Sequence, residues 1–338
     1  MNNRGIAIAG NMLVDNVKTV DTFPNIGMLA NITGVQRAVG GCVPNTIIDI
    51  AKMKAGIPLT AIGLVGEDEP GQYVIDMLAA DGVDTTLVSR TNKAQTSFSD
   101  AMCALDTGER TFFHYRGANA LFSPEYIPLD KLDCDILHIG YILLLDAFDA
   151  RDEEYGTVMA RFLHEVQQRG IRTSIDVVSD ESGKFAETVV PALKYCDYAI
   201  MNEIEAGSVS GLPVRDESGK LIAENIRKTL EQFMAHGVKH RAIIHCPECG
   251  FCMDAEEGFV AVPSLNLPEG YVKGSVGAGD AFAAGSLCAI YQEMTASDML
   301  AYASAAAAAN LSAADSVSGM KVADELKIMM NEWERKTL

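Results

Sequence analysis

The chain has 338 residues, 22% charged and 48% hydrophobic, and carries a formal net charge of −19. This length supports about two domains, or one large α/β body with an insertion, around a core that needs no disulfide or metal staples, which excludes disorder as the main state. The acidity excludes duplex nucleic acid and anionic membrane surfaces as general partners, because both select clustered Lys and Arg.

A small anion remains admissible, since a few local donors hold one against a negative background. The opening MNNRGIAIAGNMLVD lacks a signal-peptide layout. No apolar stretch approaches the ~20 residues of a membrane span. Eight cysteines, mostly inside apolar segments, fit reduced and buried thiols. A soluble, cytoplasmic protein is expected.

In chain order, Gly5–Ala9 is an apolar strand ending at Gly10. Asn11–Asp21 and Ile32–Val39 alternate, carry β-branched residues and are broken by Pro24, Gly27 and Gly34, which predicts short antiparallel strands. Thr96–Leu105 and Arg110–Tyr115, joined by the turn Asp106-Thr107-Gly108, form a second such group. These four segments are expected to make a small sheet apart from the main body. Elsewhere helices alternate with strands: helix Asn45–Ala55, strand Leu59–Val65, helix Tyr73–Ala80, strand Ile136–Ile139, helix Asp152–Gln168 and strand Arg172–Val177. Strands Tyr198–Met201 and Ala242–Cys246 follow, with Phe251–Asp254 as a hairpin partner. Gly207–Lys220 reads as a polar loop, and Asp280–Tyr291, Ala296–Ala313 and Val322–Glu334 as helices. Such alternation implies βαβ units and a parallel sheet covered on both faces.

The strongest local motif is Gly274-Ser275-Val276-Gly277-Ala278-Gly279-Asp280 at the start of a helix. Three glycines permit a tight turn that aims several N–H groups at one point, and the helix N-terminus there favours negative charge. A carboxylate on the rim, Asp280, is placed to take a proton from a hydroxyl in line with the anion; the plainer alternative is a glycine turn with Asp280 as N-cap. Neither G-x-x-x-x-G-K-[ST] nor a complete G-x-G-x-x-G is present. Gly40-Gly41-Cys42-Val43-Pro44-Asn45 opens another helix, with paired glycines for close backbone approach and Asn45 to meet a hydroxyl. Asn202-Glu203-Ile204-Glu205 follows a strand, where α/β ligands bind; it reads either as a group that organises water around Mg²⁺ or as a capping box.

Together these segments resemble the ribokinase-like (PfkB-type) carbohydrate kinases. The resemblance runs in order through Asp15, Gly40–Asn45, Gly63-Leu64-Val65-Gly66-Glu67-Asp68 with Gly71, Asn202-x-x-Glu205 and Gly277-Ala278-Gly279-Asp280. It implies a doubly wound, mostly parallel α/β body (1–10, 41–93 and 119–338) under a small β-sheet lid (11–40 and 94–118). It implies transfer of the γ-phosphoryl of ATP, with Mg²⁺, to a hydroxymethyl group of a sugar, as in fructokinases, ribokinases or ketodeoxygluconate kinases. A nucleoside kinase, or a catalytically weak sugar-binding or regulatory protein on the same fold, is the alternative. In this likeness Asp280 is the base, and Gly277, Ala278 and Gly279 hold the transferring phosphoryl. Asp15, Gly40, Gly41, Asn45 and Arg116 meet the substrate. Asn202, Gly250, Gly277 and Gly279 meet ATP, and Asn202 and Glu205 meet Mg²⁺ through water. A homodimer through the lid is expected.

Two departures stand out. The family usually has Asp and Thr where Gly274 and Ser275 stand, which puts a monovalent cation in doubt and suggests that Lys273 supplies part of the missing charge. His245 and Pro247 replace a usual Thr and Gly near the nucleotide, while Gly250 is retained. Cys246, Cys249 and Cys252 beside His245 offer a metal set, but the strand and hairpin there favour plain thiols. His138 on an apolar strand is expected to be a core residue, and Asp146, after that strand, could face the substrate.

Overall fold

The computed structural model describes residues 4–107, 109–179 and 183–337; Gly108 of the expected turn lies outside them. The chain opens with β1 (Ile6–Gly10), β2 (Leu13–Val20), β3 (Ile32–Gly40) and α1 (Cys42–Met53). It continues through β4 (Leu59–Gly66), α2 (Glu69–Ala80), β5 (Asp84–Thr91), β6 (Ser97–Ala104) and β7 (Arg110–Tyr115). After β8 (Ile136–Ile142) come α3 (Asp146–Asp149), β9 (Arg151–Asp152), β10 (Gly156–Thr157), α4 (Val158–Gln167), β11 (Arg172–Val177) and α5 (Phe185–Leu193). The last part holds β12 (Tyr198–Asn202), α6 (Glu203–Ser210), α7 (Ala223–His236), β13 (Arg241–His245), β14 (Cys249–Asp254), β15 (Gly258–Pro263), α8 (Ala278–Tyr291), α9 (Ala296–Asn310) and α10 (Ala323–Glu332).

Nine strands form one sheet in the order β15-β14-β13-β12-β11-β8-β1-β4-β5, parallel from β5 to β13 and antiparallel beyond. The period of two along a strand divides the core. On β1, Ile6 and Ile8 pack with α1, α8 and α9, whereas Ala7 and Ala9 pack on the opposite face with Phe148 and Phe162. Both faces being covered explains why the central strands read as unbroken apolar runs. Chain order reverses at β1, which lies between β4 and β8. The carboxyl ends of β1, β8, β11, β12 and β13 therefore surround the crevice in which open α/β sheets bind ligands.

The small sheet has the order β3-β2-β6-β7. One detail differs from the sequence expectation: β2 and β6 pair parallel, while β3 and β7 run antiparallel to them. The reason is connectivity. β2 and β6 each follow a short link from β1 and β5, which point the same way in the main sheet, so both enter the small sheet in one direction. Other differences are local. The helix expected from Asp152 begins at Val158, because residues 151–157 form the β9–β10 hairpin and Thr157 accepts from Ala160 N as its cap. The loop expected over Gly207–Lys220 is helical up to Ser210, where Gly211 ends α6 in the left-handed region.

Candidate active site

Gly277 is the N-cap of α8 at φ +77°, and a Cβ there would lie 2.6–2.8 Å from Ser316. Only glycine fits this turn. Lacking a side chain, Gly277 cannot cap the helix, so the first-turn amides of Gly279 and Asp280 are left for a ligand. Asp280 stands at the third helical position and is not the N-cap. Its carboxylate turns to the protein instead: Asn45 Nδ2 donates to Oδ2 at 2.9 Å and the Tyr141 hydroxyl donates to Oδ1 at 2.6 Å.

These partners are themselves held. Ser316 Oγ donates to Asn45 Oδ1 at 2.8 Å, and Tyr141 N donates to Asn11 Oδ1 at 2.9 Å. Gly41, at φ +89°, lies so close to Asn11 that a Cβ would sit 2.7 Å from its carbonyl oxygen. A ring of contacts thus runs from Asp280 through Asn45, α1, Gly41, Asn11 and Tyr141 back to Asp280. Burial, and after it the charge of the nearby Asp176, push the Asp280 carboxyl up to about 7 against the downward pull of the Tyr141 and Asn45 hydrogen bonds. A carboxyl with this pKa is poised as a general base near neutral pH.

A cavity of about 250 Å³ opens here, lined by Tyr141, Asp176, Asn202, Glu205, His245, Gly277, Gly279 and Asp280 among others. Asn202 and Glu205 form a complete capping box: Glu205 N donates to Asn202 Oδ1 at 2.8 Å and Asn202 N to Glu205 Oε2 at 3.0 Å. Glu205 Oε1 accepts from Ser179 Oγ at 2.8 Å. Each glutamate oxygen accepts one hydrogen bond, and a cation reached through water leaves both of them and the helix start undisturbed. Burial raises the Glu205 carboxyl to about 7. The His245 ring stacks on Phe282 with centroids 4.8 Å apart, and desolvation pushes its pKa down to about 4.

The remaining expected residues fall in three places. Asp15, on β2, is half-buried, its carboxyl raised to about 6 by desolvation; it covers Gly40, where a Cβ would meet its carboxylate. Arg116 is not among the residues lining the cavity at Asp280. It pairs with Asp146 at 2.8 Å and lines a second cavity of about 610 Å³ with Asp149, Arg151 and Lys184. Gly250 pairs with His245 across the hairpin and is buried, with Phe282 and Leu300 against its Cα; it supports the histidine from behind. At Gly274 a Cβ would lie 2.9 Å from Ala314 O, so the turn has no room for the family's usual aspartate. Lys273 is exposed.

The three neighbouring cysteines do not converge. Cys246 and Cys249 pack on one face of the sheet and Cys252 on the other, as odd spacing along β14 requires. Among the described residues the metal-ligand grouping is elsewhere, at Cys42, His138 and Asp176. Tyr141, Asn11 and Asp176 escaped the sequence reading. The signal for two of them was position: Tyr141 and Asp176 sit at the carboxyl ends of central strands, where chemistry is placed in this architecture.

Residues 3–322 match the family model described as "pfkB family carbohydrate kinase". A fructokinase of Solanum tuberosum is 30% identical over 139 residues, 40% of this chain and 41% of that protein. The chain therefore spans less than half the length of that relative in the matched region. A 2-dehydro-3-deoxygluconokinase of Escherichia coli K12 is 23% identical over 265 residues, covering 75% of this chain and 81% of the other. The structure of Arabidopsis thaliana ribokinase complexed with ribose and ATP superposes with a TM-score of 0.78 at 19% identity, over 97% of this chain and 98% of that one, which shows the fold. The chain belongs to the pfkB family of carbohydrate kinases. No helix among the described residues is long and apolar enough to cross a membrane.

Proposed function

We propose that the protein transfers the γ-phosphoryl of ATP to a hydroxymethyl group of a small sugar or sugar acid, with Asp280 as the base. The observation that carries this reading is a buried carboxylate of near-neutral pKa beside an uncapped helix N-terminus. ATP with its Mg²⁺, when bound, supplies the phosphoryl group and part of its charge neutralisation. The amides of Gly279 and Asp280, at the turn Gly277-Ala278-Gly279, hold the anion; Asn202 and Glu205 arrange water around the cation from within their capping box. Asp280 accepts the proton of the acceptor hydroxyl as that oxygen bonds to phosphorus and the bond to the ADP oxygen breaks. Asp15, Gly40, Gly41 and Asn45 form the acceptor side, and the small sheet serves as a lid that excludes water. The steric exclusion at Gly274 supports a site that works without a monovalent cation.

Arg116 is the discriminating residue. Its pairing with Asp146 leaves it neutralised towards a neutral sugar, while the carboxylate of a sugar acid has to displace Asp146. ADP release should be followed with fructose, ribose, ketodeoxygluconate and nucleosides, in potassium and in choline buffers. At least one sugar or sugar acid is expected to turn over equally in both buffers. Asp146→Asn should lower KM severalfold for the sugar acid and little for neutral sugars. Turnover of nucleosides alone would establish the nucleoside-kinase alternative, and thermal shifts by sugars without ADP release would establish a binding protein.

We also propose that two copies associate through the small sheet, whose outer strands expose Val35, Phe112 and Phe113. Unpartnered apolar strand surface of this kind favours association. Sedimentation equilibrium at micromolar concentration should return twice the chain mass; a monomer throughout refutes the dimer.

A further inference from the structure

Behind the candidate base lies a second group of side chains, none of which takes the proton or holds the phosphoryl group in the proposed transfer. Cys42 is the first residue of α1, His138 lies in the middle of β8, and Asp176 near the end of β11. Cys42 and His138 are fully buried, and Asp176 nearly so. One ligand atom from each, a sulfur, a nitrogen and an oxygen, lies within 4.8 Å of the other two. His138 Nε2 and Asp176 Oδ1, both turned towards this point, make no well-formed hydrogen bond among the described residues, and the nearest polar neighbour of the ring nitrogen is Asp176 Oδ2 at 3.4 Å. A buried unpaired carboxylate oxygen and ring nitrogen are costly, so their convergence asks for an explanation.

The surroundings favour convergence. His138 Nδ1 is 2.9 Å from Ser174 Oγ, a contact that is compatible with the tautomer a metal ligand needs, with the ring hydrogen on Nδ1 and the Nε2 lone pair facing the group. Gly140 leaves the space: a Cβ there would fall on Asp176 Oδ1 and 2.9 Å from Cys42 Sγ. Burial and the neighbouring Asp176 and Asp280 carboxylates push the Cys42 thiol well up, so without a cation it keeps its proton and a bound cation has to draw that proton off.

We propose that Cys42, His138 and Asp176 form a binding site for one thiophilic divalent cation of the zinc type. Thiolate, imidazole and carboxylate are a borderline-soft set, and two anionic ligands neutralise a dication in a buried place. Ligand bonds of about 2.0–2.1 Å in tetrahedral geometry put nitrogen and oxygen ligands about 3.3 Å apart. His138 Nε2 and Asp176 Oδ2 stand 3.4 Å apart. Sulfur and nitrogen ligands need about 3.6 Å, which the 4.8 Å limit brings within a small side-chain rotation. Binding releases the thiol proton to water as the sulfur–metal bond forms. Asp176 also lines the cavity beside Asp280, which provides the entry path and leaves the fourth position to water. This site stands independently of the kinase reading, and its ligands are distinct from Asn202 and Glu205, which line the same cavity as Asp176.

The test is titration of the reduced, chelator-treated full chain with Co²⁺. One equivalent should produce a thiolate-to-cobalt charge-transfer band with the intense visible bands of tetrahedral cobalt. Zn²⁺ should abolish the band, and excess Mg²⁺ should leave it. Cys42→Ser should remove it, Cys249→Ser should not, and Ser174→Ala should weaken binding ~10–100-fold by freeing the imidazole. X-ray absorption of the wild-type zinc complex, which needs no variant to fold, should show one sulfur at about 2.3 Å. Absence of the band, its persistence in Cys42→Ser, its loss to Mg²⁺, or a sulfur count other than one would each overturn the site.

Discussion

Replacing Asp280 with asparagine should lower kcat ~10²–10⁴-fold, the usual contribution of a positioned general base, and should raise thermal stability. The two effects share one cause. Asparagine can still accept from Asn45 Nδ2 and can donate to the Tyr141 hydroxyl, so the ring of contacts survives. What is lost is the ability to take a proton. The native carboxyl titrates at about 7 against 3.8 as its ordinary value. The folded state therefore binds more protons than the unfolded chain between these values, and stability falls as pH rises through that window. Above it, ionised Asp280 costs on the order of 1–3 kcal/mol, which the amide removes. The gain in Tm should be clear at pH 8 and vanish near pH 4. Near-normal turnover in the variant with a verified substrate refutes the role of Asp280. Lost turnover with an unchanged melting curve at pH 8 refutes the burial argument alone.

The parts of this molecule legible in its sequence are those whose cause is local. Alternating apolar runs and amphipathic helices mark the parallel sheet, and the spans Arg172–Val177 and Arg110–Tyr115 coincide with β11 and β7. The edge strand β5 was missed because it is half-exposed and largely polar. Helix α5 was missed because Pro191 interrupts its text, although its apolar face is buried. In α7 a usable pattern was present: Ile226, Leu230 and Phe233 recur at helical spacing and are all buried. The glycine turn at Gly277 and the paired glycines before Asn45 are visible because close backbone approach demands glycine in the sequence itself. Tyr141, Asn11 and Asp176 carry no such mark. They matter because residues 130 or more apart in the chain meet at the strand ends, as Asn11 and Tyr141 do.

The pH dependence of kcat/KM offers the sharper test of how those distant residues act on the base. Since only ionised Asp280 accepts a proton, the acidic limb should bend near pH 7 and fall about tenfold per unit below it, close to a hundredfold at pH 5. Its position is set by opposing neighbours. The charge on Asp176 disfavours a second negative charge and raises the limb, while the Tyr141 hydroxyl stabilises the carboxylate and lowers it. Asp176→Asn should therefore move the limb to lower pH, by roughly one unit, and Tyr141→Phe should move it to higher pH. A purely structural role for either residue would change kcat/KM at all pH values alike and leave the limb in place. Shifts of the same sign in both variants would mean that the limb belongs to another group, Glu205 being the first to examine because burial holds its carboxyl near the same value. Glu205→Gln separates the two: it removes that group's titration and leaves the contacts of Asp280 intact, so a limb that stays near pH 7 in this variant belongs to Asp280.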